Sequence, residues 1–64
     1  MIYEVVVRRS DNGWWALSCP EVRGAHSQVR QFEDAEGVAR DAIAGVLGVN
    51  VGHVDVVLEV ETVF

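Results

Sequence analysis

The sequence predicts a small α+β domain of β-β-β-α-β order, with one helix packed on one face of a four-stranded sheet. Three observations predict it. The first part holds short β-branched and aromatic runs broken by turn signals. From Phe32 the apolar spacing changes to threes and fours, as on a helix. After Gly48, apolar residues fall at every second position, Val54, Val56, Leu58 and Val60, as on a strand with one clearly apolar face.

The first strand is read over Ile2–Arg8, rich in valine and of strand length. Ser10-Asp11-Asn12-Gly13 follows, and its Asn-Gly dipeptide suits the positive φ angles of a hairpin turn. Trp14–Cys19 then pairs antiparallel with the first strand and stops before Pro20, which cannot donate to a ladder. Residues 20–24 form a loop, and Ala25–Val29 is a short third strand. Phe32, Ala35, Ala39, Ala42, Ile43, Val46 and Leu47 make one apolar stripe on a helix. Glu33, Asp34 and Glu36 occupy its start, where carboxylates favour the positive end of the dipole. Gly37 costs about 1 kcal/mol relative to alanine, so packing must hold that turn. Gly48 is placed to end the helix in a left-handed cap. Beyond a loop at Asn50-Val51-Gly52, Val54, Val56, Leu58 and Val60 alternate with Asp55, Val57, Glu59 and Glu61 as the last strand.

Composition bounds what such a domain does. The 64 residues are half hydrophobic and carry ten acidic against five basic residues, all arginine, for a net charge of −5. The apolar content argues against disorder. The acidity argues against stand-alone nucleic-acid binding, whose affinity comes mainly from neutralising phosphates. No membrane span is expected: the longest stretch without a charged residue, Ala42 to Val54, is interrupted by polar residues and glycines and is shorter than the about 20 residues a bilayer needs. No export signal is visible at the start, so a cytoplasmic location is expected. Chains of this size bury only about 60% of their unfolded surface. With one cysteine there is no internal disulfide to compensate. A homo-oligomer, dimer or tetramer, or a permanent partner is therefore expected.

Alternation places Tyr3, Val5, Val7, Trp15, Leu17 and Cys19 against the helix, with Val54, Val56, Leu58 and Val60 of the last strand. One helix covers only one sheet face. The other face then carries Ile2, Glu4, Val6, Arg8, Trp14, Ala16, Val57 and Val63, too apolar for a purely solvated surface. Ile2, Val6, Trp14, Ala16, Val57 and Val63 are the candidate partner or self-association residues. Trp14 leads them, because tryptophan is enriched at binding hot spots.

Catalytic chemistry is not legible. Cys19 and His26 would be the one thiol–imidazole pair, but Cys19 reads as an apolar-face residue, and a buried free cysteine behaves as a small hydrophobe. His26 and His53 lack metal-ligand spacing, so His26 is read as a strand or rim residue and His53 as a loop residue. The acidic residues Glu33, Asp34, Glu36 and Asp41 spread around a helix. No phosphate-binding glycine loop occurs. No catalytic residue, metal ligand or cofactor is expected.

Several segments, taken in order, resemble the HicB family, the antitoxins of HicA–HicB toxin–antitoxin pairs. They are Tyr3-x-Val5-x-Val7, then Gly13-Trp14-Trp15, then Ser18-Cys19-Pro20-Glu21-Val22-x-Gly24-Ala25-His26-Ser27-Gln28. Phe32-Glu33-Asp34-Ala35, leading into Ala39-Arg40-Asp41-Ala42-Ile43, is similar to the family's acidic helix start. The resemblance implies a partial RNase H-like fold and a function in binding rather than catalysis. It implies that the chain would bind and neutralise a HicA-type toxin, a small basic mRNA-cleaving ribonuclease. An acidic cover suits such a surface, since opposite potentials steer association. The alternative reading is an orphan oligomeric structural or regulatory module without a toxin partner. The family usually continues into a DNA-binding segment, which these 64 residues do not include, so direct DNA contact is not expected. The family also often has Thr or Ser where Gln31 stands, and glutamine is a poor N-cap.

Overall fold

The computed structural model describes residues 2–61. Its elements are β1 (Ile2–Arg9), β2 (Trp15–Ser18), β3 (His26–Val29), α1 (Ala35–Leu47) and β4 (Asp55–Glu61). Short 3-10 turns over Phe32–Asp34 and Val51–His53 flank α1. The sheet order is β3-β2-β1-β4; β2 is antiparallel to β1 and to β3, while β4 runs parallel to β1. β3 and β4 thus run the same way at opposite edges, and α1 carries the chain from one edge to the other. The element order and the single-helix cover are as the sequence predicts.

The differences are local. The Asn-Gly turn does not form as a two-residue hairpin. Gly13 alone takes a positive φ there, 85°, and no described non-glycine residue does. The loop is three residues long: Ser10 accepts from the Gly13 amide at 3.0 Å and donates its own amide to the Trp14 carbonyl at 2.8 Å. The Asn12 side chain, free of the left-handed region, accepts from the Trp14 amide at 3.1 Å. β2 accordingly starts at Trp15, one residue later than alternation suggested. The chain enters α1 through the 3-10 turn, with no side-chain cap from Gln31 or Asp34. At the other end Gly48 is left-handed as expected, φ 69°, and the amides of Gly48 and Val49 both reach the Ala44 carbonyl.

The core is apolar throughout. Val5, Val7, Leu17, Cys19, Val22, Ala25, Val29 and Val54 pack with Ala35, Ala39, Ile43 and Ala44 of the helix, and no polar or charged residue is buried among the described residues. Three alanines on α1 let the helix lie close to the sheet, and Ile43 is the one large helical side chain driven fully into it. Three members of the expected stripe, Phe32, Val46 and Leu47, remain substantially exposed. Phe32 instead meets Trp15 edge-on, ring centroids 5.2 Å apart. Val46 faces Gly24, which has no side chain to cover it. Ala44 is buried beneath the chain that turns back over its carbonyl. Arg40 ties that returning chain to the helix, its Nε donating to the Val54 carbonyl at 2.9 Å.

Candidate functional site

Because α1 covers one side, the other side of the sheet is open, and the strand register fixes what it displays. Ile2 pairs with Asp55, Glu4 with Val57, Val6 with Glu59 and Arg8 with Glu61 across β1 and β4. Each of the first three rows sets one apolar residue beside one carboxylate, and the apolar member switches strand from row to row. The result is an apolar zigzag, Ile2–Val57–Val6, with Asp55, Glu4 and Glu59 in the alternate places. Ile2 is 67% exposed and Val57 47%, the two large apolar side chains most open to water on this face. On β2 the face continues with Ala16, opposite Arg8, and Ser18, opposite Val6. On β3 it ends with Gln28 and His26.

The electrostatics are one-sided. β1 and β4 present Glu4, Asp55, Glu59 and Glu61 against one guanidinium, Arg8, which donates to Glu61 at 2.8 Å. Among the described residues, no cation is paired to Glu4, Asp55 or Glu59. A shallow concavity of about 440 Å³ lies beside the ion pair, bordered by Val6, Ala16, Ser18, Pro20 and His26.

The structure therefore brings together four of the six sequence-named residues: Ile2, Val6, Ala16 and Val57. Trp14 lies just before β2, outside the strands, and is half-buried. The Arg30 guanidinium lies over its ring, 4.8 Å from the centroid. Trp14 is thus already partnered within the chain, at the β3 end of the face. Val63 lies outside the described residues.

Sequence reading missed the Arg8–Glu61 pair and the Arg30–Trp14 stack. Each joins residues distant in the chain, and only the strand register makes them neighbours. The carboxylates Glu4, Asp55 and Glu59 were legible as alternation but not as members of a common patch.

Cys19 is buried on the helix side, whereas His26 is exposed on the opposite face, so thiol and imidazole do not meet. Glu33, Asp34, Glu36 and Asp41 all point to solvent. His53 is exposed in the 3-10 turn before β4. Among the described residues no group of three or more His, Cys, Asp or Glu side chains is placed to hold a metal ion, and no helix is long and apolar enough to cross a membrane.

No protein-family model matches the chain, and neither a curated protein nor a solved structure does.

Proposed function

We propose that the chain is a non-catalytic protein-binding module, a HicB-like antitoxin of partial RNase H-like fold that acts in the cytoplasm and covers a basic HicA-type mRNA-cleaving toxin. One observation carries the reading: the uncovered sheet face, where Ile2, Val57 and Val6 form an apolar line through Glu4, Asp55 and Glu59, carboxylates that no cation among the described residues pairs. Apolar side chains supply the area whose burial drives association. The interleaved carboxylates favour a cationic counterpart and disfavour an acidic one. A nucleic-acid backbone would meet repulsion on the same face. The order of HicB-like segments along the sequence names the family of the partner.

Co-expression tests it. The chain is expressed with a HicA-type toxin, and both growth and co-purification are followed. The reading expects restored growth and a stable complex; continued arrest with no complex overturns it. The second reading, an oligomeric module with no toxin partner, draws on the same apolar line used between copies. It expects a partner-free oligomer in light scattering whose mass is insensitive to salt.

A further inference from the structure

The geometry points to the free edge of β4 as the place where a partner adds an extended, basic strand. This deepens the protein-binding reading, naming the edge used and the chemistry of the segment that takes it. β4 is an outer strand: one side pairs with β1, and no described strand pairs with the other. It is seven residues long, contains neither proline nor lysine, and keeps an unbroken one-to-one register with β1 from Ile2 to Arg8. Of the usual means of blunting an edge, proline, lysine and bulges are absent from β4, and acidic side chains stand in their place.

The side chains specify what fits. On the helix side, Val56 and Leu58 are only half-buried and Val60 is 48% exposed, so their outer flanks remain to be covered. On the open side stand Asp55, Glu59 and Glu61. A fifth strand that alternates apolar residues with Lys or Arg would cover the first set and neutralise the second, because successive side chains of a strand point to opposite faces.

A second copy of β4 does not meet this requirement. Antiparallel pairing centred on Leu58 sets Asp55 against Glu61. Centring it on Val57 sets Asp55 against Glu59, and on Glu59 sets that carboxylate against its own copy. Like charges directly opposite are destabilising in a sheet. In the registers that pair most of β4 with itself, the charge pattern therefore opposes self-association and favours a basic strand.

The test uses the intact, isotope-labelled chain and two synthetic peptides, Lys-Val-Arg-Val-Lys-Val-Arg and its charge-reversed counterpart Glu-Val-Asp-Val-Glu-Val-Asp. Binding of the basic peptide alone is expected, with amide shifts and slowed exchange along residues 55–61 and an affinity that falls with salt. The double variant Asp55→Lys/Glu59→Lys, both at exposed positions, should weaken the basic peptide by about tenfold or more, as reversal of interface charge does. No binding, equal binding of both peptides, or shifts that leave residues 55–61 untouched would overturn the proposal; the carboxylates would then only guard the edge. The toxin separates the two levels. Toxin capture with shifts at Ile2, Val6 and Ala16 but none along residues 55–61 overturns the edge while keeping the protein-binding reading. Binding of the basic peptide at β4 without toxin capture keeps the edge and removes the toxin.

Discussion

Arg8 and Glu61 lie opposite each other across the parallel pairing of β1 and β4, with the guanidinium donating to the carboxylate at 2.8 Å. Their side chains are 61% and 47% exposed, so water screens the pair strongly. Its effect is local: it occupies the one guanidinium that β1 and β4 show on the open face, leaving Glu4, Asp55 and Glu59 to set the potential there. Arg8→Ala is expected to change stability by less than about 1 kcal/mol in urea unfolding. It should also make association with a basic partner more salt-dependent, because the face becomes more negative.

Val57→Glu tests the face without touching the core. Val57 is 47% exposed, and surface substitutions away from special features usually fall within about 0.5 kcal/mol. The fold should persist by circular dichroism while partner capture drops. A variant that unfolds would mean that the faces are assigned the wrong way round.

Ile43→Ala tests the other side of the sheet. Ile43 is 1% exposed and is the largest of the fully buried side chains among the described residues. Its truncation is expected to cost about 2–5 kcal/mol, because the cavity left behind adds to the lost transfer energy. A 64-residue domain has a total stability of only about 3–10 kcal/mol at the usual per-residue values. Thermal unfolding should therefore show a large fall in Tm or no folded baseline at all.

Two glycines of the same region are expected to respond with opposite signs. Gly48 sits at φ 69° with no heavy atom within 4 Å of the point a Cβ would occupy, so Gly48→Ala costs backbone strain alone, about 1 kcal/mol. Gly37 lies within α1 in open space, and Gly37→Ala should stabilise by about 0.5–1 kcal/mol through helix propensity. Urea midpoints of the two variants, measured side by side, check the pair.

Cys19 is 4% exposed and its position faces the core. A thiol reagent should react slowly with the native chain and rapidly once urea unfolds it, since reactivity needs access. Fast native labelling would place Cys19 elsewhere.

How much of this was legible in the sequence follows from what kind of pattern each part is. β1 was readable from its run of valines and β4 from Val56 and Leu58 at alternate positions, and a period of two carries its own face assignment. Gly48 was readable because a left-handed cap is a property of one residue. Trp14 was not. In Trp14-Trp15 alternation says that one ring turns in and the other out, but the strand begins only at Trp15, and Arg30, from the far end of β3, covers Trp14. Val46 illustrates the same limit on the helix. Its spacing fits the stripe, yet burial needs a side chain opposite, and Gly24 offers none. The open face was legible as excess apolar content; its zigzag of valine, isoleucine and carboxylate exists only in the β1–β4 register.

The most direct test of the account is amide-shift mapping of the labelled chain as a HicA-type toxin is titrated in. The account predicts a complex with shifts along residues 55–61 and at Ile2, Val6 and Ala16 of the open face, and with Glu36 and Asp41 on the outer side of α1 unchanged. Shifts centred on α1 with the open sheet face silent, or no complex at all, would contradict it.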